Sequence, residues 1–176
     1  MSTQNSAVVE DYDPSFRPLG LKKAAGQTIV AQVTAIEKEH LSFVKDRLIK
    51  KQGWNPSRAD EVRIEFLRFI SLSFVNKGMH APSAEVDEFW HAFLLFTREY
   101  HEFCQRHFGK FVHHVPEHSG DIQALDMSLM ATQTRTLLGR MFPDYSREIW
   151  GEFGICSKGG PSSSKNCGII IPNAQI

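Results

Sequence analysis

The chain has 176 residues, 20 of them basic and 20 acidic, so its formal net charge is zero. That balance lacks the basic excess with which nucleic-acid binders neutralise phosphates, so nucleic acid is not an expected partner. With 41% hydrophobic and 23% charged residues the composition is that of one ordinary globular domain, and no stretch approaches the ~20 apolar residues of a membrane span.

Residues 1–10 are polar apart from Ala7-Val8-Val9 and hold no signal-peptide h-region. Three cysteines, Cys104, Cys156 and Cys167, are too few for a disulfide framework in a chain of this length, and a reducing cytoplasm is the expected location. Cys156 and Cys167 are not expected to pair there.

Residues 1–26 carry Pro14, Pro18, Gly20 and Gly26 without any period and are expected to form an irregular arm. The first helix is expected from an N-cap at Thr28 to Lys51, with Ile29, Val33, Ile36, His40 and Phe43 on one apolar stripe and Gly53 as the stop. On that stripe His40 reads as a packed histidine at the core edge. Asn55-Pro56 supplies the N-cap and first position of a second helix. It runs through Val62, Phe66, Phe69, Ile70 and Phe74, and Gly78 ends it. Ser83 caps a third helical segment whose first turn holds Glu85, Asp87 and Glu88. Phe108-Gly109 marks its end. A fourth helix, capped by Asp121 and using Leu125, Leu129, Leu137 and Leu138, stops before Pro143, and Ile149-Trp150 closes the packed part.

From Cys156 the composition becomes rich in glycine and serine, the mark of a flexible tail. The terminal Ile169-Ile170-Ile171 could dock as a strand or meet a partner. The expected architecture is therefore all-α: a compact bundle of four to five helices over 27–155, between an irregular arm (1–26) and a flexible tail (156–176).

Seven of the eight histidines lie between His80 and His118. Such clustering points either to a metal site or to a packed polar core. Asp87 and His91 are four residues apart and share a helix face, as do Tyr100, Cys104 and His107. His91 and Cys104 are thirteen positions apart, which on one straight helix is about 20 Å of rise and nearly opposite faces. They could share an ion only if the helix breaks, and Thr97 could serve as a new N-cap. The compact alternative joins Cys104 and His107 to His113 and His114, brought back by a reversal at Gly109. Thiolate and imidazole suit zinc. The candidate ligands are therefore Asp87, His91, Cys104, His107, His113 and His114, with zinc as the candidate ion. In the polar-core reading Cys104 is a small buried hydrophobe and His101 is solvated.

The series Val86-Asp87-Glu88-Phe89-Trp90-His91, then Tyr100, Phe103-Cys104, Phe108-Gly109 and His114, resembles the core pattern of the glycine-rich domain-containing protein-like family, over residues 60–150. The resemblance implies a helical domain of unassigned activity. Trp90 and Tyr100 are candidate binding residues.

Two function classes follow. One is a non-catalytic helical binding or regulatory module with a protein partner. The other is a zinc-type metal-binding protein, with a metal-dependent enzyme as one form of it. A nucleophilic Cys104 has no oxyanion-hole signature beside it, and no phosphate-cradling glycine motif is present.

Overall fold

The computed structural model describes residues 29–75, 79–115, 124–151 and 169–171. They are all-α apart from one short ribbon. The expected arm at 1–26, the proposed cap Thr28 and the Gly/Ser-rich stretch 157–168 lie outside the described residues, as do Cys156, Cys167 and Asp121. No helix among the described residues is long and apolar enough to cross a membrane.

The first expected helix is two helices, α1 (Ile29–Glu37) and α2 (Ser42–Gln52), broken at Leu41 with φ 43° and ψ 39°. Left-handed backbone costs a leucine about 1–2 kcal/mol. Burial of its side chain offsets this, and so does Arg63, whose guanidinium donates to the Glu39 carbonyl freed by the break at 2.7 Å. The turn takes His40 out to solvent, so it is not the core-edge histidine that an unbroken stripe implied; Leu41 takes the core position. At Gly53, φ 72°, the chain stops α2, with the Gly53 and Trp54 amides donating to the Ile49 and Leu48 carbonyls.

Helix α3 (Pro56–Ser71) starts as its sequence says. Asn55 accepts from the Ser57 and Arg58 amides at 2.9 and 3.3 Å, and Pro56 holds the first turn. The helix tightens into a 3-10 turn at Leu72–Phe74. Ser83 caps α4 (Ala84–Leu94), and α5 (Thr97–Phe108) ends at Gly109, φ 68°. The chain then enters β1 (His113–Val115). Helix α6 (Ala124–Met141) stops short of Pro143 and α7 (Arg147–Trp150) follows. Leu129, expected on the buried face of α6, is exposed, whereas Leu138 is buried. Strand β2 (Ile169–Ile171) pairs antiparallel with β1 in the register His113↔Ile171, His114↔Ile170, Val115↔Ile169. The triple isoleucine thus docks as a strand. The described residues hold seven α-helices where four to five were expected, because breaks at Leu41 and at Leu95-Phe96 split two periodic segments.

Aromatic side chains fill the space between α3, α4 and α5. Phe66, Phe69, Phe74, Val86, Trp90, Phe93 and Phe103 are all buried. Phe66 lies 5.2, 6.3 and 6.1 Å from the rings of Phe89, Trp90 and Phe93, and Phe69 lies 5.8 Å from Trp90. Aromatic pairs at such distances add about 0.5–1.5 kcal/mol each beyond their area. Glu65 of α3 is the polar anchor of the C-terminal helix. It accepts from the Trp150 indole at 2.7 Å and the Ser146 amide at 3.0 Å, and pairs with Arg68 at 3.1 Å. The aromatic contacts from Phe66 and Phe69 pack α4 by its buried face.

Candidate metal centre

Asp87 stands in the first turn of α4, where negative charge meets the positive end of the helix dipole, and His91 follows one turn later on the same face. Helix α4 then breaks. Phe96 occupies the N-cap position of α5 without a side-chain capping bond, so Thr97 is the first helical residue rather than the cap. Of the two arrangements that the spacing left open, the chain takes the broken helix, with Phe96 and not Thr97 at the cap position. Beyond α5, Gly109 reverses the chain, and β1 returns to α4.

The return places His114 against Asp87. Nε2 of His114 lies 2.8 Å from Asp87 Oδ1, and Nδ1 of His91 lies 3.3 Å from Asp87 Oδ2. The two imidazole centroids are 4.3 Å apart. One ligand atom from each of the three residues falls within 4.8 Å of the others, a group that could hold a metal ion. The side chains of Asp87 and His114 are only 1% and 6% exposed, whereas that of His91 is 44% exposed and opens the group to solvent. Burial holds the His91 imidazole below its ordinary pKa, against the opposing pull of the Asp87 carboxylate, and the neighbouring His114 adds to the lowering. A neutral imidazole is the form that binds a metal.

A second layer fixes this arrangement. The Trp90 ring meets His114 edge-on at 4.5 Å. Its indole N–H donates to the Tyr100 hydroxyl at 3.0 Å, and that hydroxyl donates to the Val112 carbonyl at 2.6 Å. Both candidate binding residues, Trp90 and Tyr100, are fully buried, so they face neighbouring side chains rather than an outside ligand.

The compact alternative does not assemble. Cys104 is fully buried, and burial pushes its thiol up to about 11, only partly offset by hydrogen bonds to the Val112 backbone and the Tyr100 side chain. It is a protonated packing residue rather than a thiolate ligand or nucleophile. His107 reaches Glu39 Oε1 at 2.6 Å and packs on Phe103. His113 neighbours His114 on a strand, where successive side chains point to opposite faces, and its ring lies 4.9 Å from Phe111. Three of the six candidate ligands thus come together, and Cys104, His107 and His113 do not join them.

The family model that matches the chain is that of the UCP032817-like family, over residues 32–127, more than half of the 176. The chain belongs to the UCP032817-like family. This finding replaces the resemblance to the glycine-rich domain-containing protein-like family. No curated protein and no solved structure gives a significant match. The matched span of this UCP032817-like chain includes Asp87, His91 and His114. Membership by itself assigns no chemistry.

Proposed function

We propose that the protein is a helical metal-binding domain whose divalent ion is held by Asp87, His91 and His114. The observation that carries this reading is their convergence. Two residues of one helix and one from a strand twenty-seven positions beyond Asp87 bring ligand atoms within 4.8 Å of one another. Ligands about 2.0–2.2 Å from one ion sit roughly 2.9–3.4 Å from each other at octahedral to tetrahedral angles. Here the 2.8 and 3.3 Å contacts run to the two different oxygens of Asp87, and the three ligand atoms lie within 4.8 Å of one another. An ion would draw the three side chains inward and would neutralise the buried carboxylate.

Two imidazoles and one carboxylate suit zinc, and zinc is the ion we propose. Three protein ligands leave a coordination position for water or an outside ligand, as catalytic sites do, whereas structural zinc sites are closed by four. At such a position an ion can lower the pKa of bound water or polarise a carbonyl or phosphoryl oxygen. This is the ground for reading the protein as a metal-dependent enzyme rather than as a binding module alone. The buried free thiol of Cys104 suits a reducing compartment, and we place the protein in the cytoplasm.

Titrating chelator-treated protein with zinc, and with cobalt(II) as a spectroscopic substitute, tests the reading. One ion per chain is expected, lost in Asp87→Ala. Failure of the wild-type protein to take up either ion would overturn it.

A further inference from the structure

We propose that Tyr100 is a positioning residue for this metal centre, its hydroxyl setting where the His114 imidazole stands relative to Asp87 and His91. The inference rests on the metal reading and concerns how the fold holds the three ligands in register.

The directions of the hydrogen bonds are forced. An indole N–H can only donate and a backbone carbonyl can only accept, so the Tyr100 hydroxyl accepts from Trp90 and gives its one proton to Val112. Trp90 belongs to α4, one residue before His91 and three after Asp87. Val112 lies two residues before His114, and residues two apart in an extended chain line one face. One hydroxyl therefore joins the helix that carries two ligands to the segment that carries the third.

Strand β1 is also held where Val115 packs with Ala81 and Met130, but its own strand pairing is short. It is three residues long and its partner β2 is three residues long, and an isolated two-stranded ribbon is marginal in water. Trp90 acts on His114 a second time through its ring edge at 4.5 Å, so the bond that sets the indole's orientation also sets the wall against which the imidazole packs. Because Tyr100 is fully buried, removing its hydroxyl leaves both the indole N–H and the Val112 carbonyl unsatisfied without water to replace it. Such groups move to find partners.

The test compares zinc affinity and the cobalt(II) absorption spectrum in wild type, Tyr100→Phe and Leu48→Ala. The last is a cavity variant in α2 that destabilises the fold without touching the hydroxyl chain. Loss of an outer-shell partner weakens metal binding by about 10–100-fold. That loss is expected in Tyr100→Phe, with an altered cobalt spectrum, while Leu48→Ala lowers the melting temperature and keeps the wild-type affinity and spectrum. Wild-type affinity and an unchanged spectrum in Tyr100→Phe would overturn the positioning role and leave the metal centre standing. Equal losses in both variants would also overturn it, by showing a general effect of stability. A wild-type protein that binds neither ion would remove the metal reading itself and this inference with it.

Discussion

The Asp87 carboxylate and the His114 imidazole meet at 2.8 Å across twenty-seven positions of sequence, both nearly closed to solvent. A buried carboxylate is costly unless a charge, a hydrogen-bond donor or a metal answers it. Here two imidazoles face it, one from its own helix and one from the returning strand. The aromatic core that holds α4 and the hydroxyl chain that holds β1 are what make the meeting possible.

Trp90 is the side chain on which both depend. It is fully buried between Phe66, Phe69 and His114. Trp90→Ala should cost about 3–5 kcal/mol, as large-to-small core changes do. Denaturant unfolding measures it, and a loss under about 1 kcal/mol would show that this indole is not central to the packing.

Glu65 should be the most sensitive polar residue of the core. Its carboxylate serves the Trp150 indole, the Ser146 amide and Arg68. Glu65→Ala should cost about 3 kcal/mol, the lower end for a broken buried pair, because Arg68 keeps Glu37 and Asp144. Thermal unfolding checks this, and a variant that melts like wild type would contradict the anchoring of α7 through Glu65.

Acidification should loosen the junction between α5 and the α1–α2 turn. Burial holds the His107 imidazole below its ordinary pKa, against the pull of Glu39, whose Oε1 also pairs with Arg106 at 3.0 Å. The unfolded chain takes up that proton near pH 6.5. The contribution is therefore fully present above about pH 6.5 and is lost as pH falls through the lower folded value. Melting temperatures of chelator-treated wild type and His107→Gln, compared at pH 7.5 and 5.5, should show the larger drop in wild type. Parallel drops would contradict the assignment.

Cys104 should be inert. A fully buried thiol raised to about 11 is almost wholly protonated at neutral pH, and the thiolate is the reactive form. Peptide mapping after alkylation of native protein should find Cys104 unmodified until denaturant is added. Rapid native labelling there would reopen the thiol as a ligand or nucleophile.

Local signals carried much of the fold in the sequence. Asn55-Pro56, Gly53, Ser83 and Gly109 mark helix ends through bonds made within a few residues of themselves, so their meaning is legible without tertiary structure. The break at Leu41 is not legible, because left-handed backbone on a leucine survives only through burial and the bond from Arg63, which lies in another helix. Asp87 and His91 could be paired by helical spacing alone. His114 could be added only once α4 and α5 separate. Cys104 misled because one thiol a turn from a histidine reads the same whether it binds a metal or packs against Val112. The motif residues behind the other family resemblance, Phe89, Trp90, Tyr100, Phe103, Cys104 and Phe108, are buried packing residues here.

The most direct test of the central claim is the metal content of single variants, measured by elemental analysis after zinc loading and desalting. The account predicts about one zinc per chain in wild type, in Cys104→Ala and in His113→Ala, and little or none in Asp87→Ala, His91→Ala and His114→Ala. Zinc kept in His91→Ala and lost in Cys104→Ala would contradict it and return the site to the cysteine. A wild-type protein without zinc would leave Asp87, His91 and His114 as a hydrogen-bonded polar cluster and nothing more.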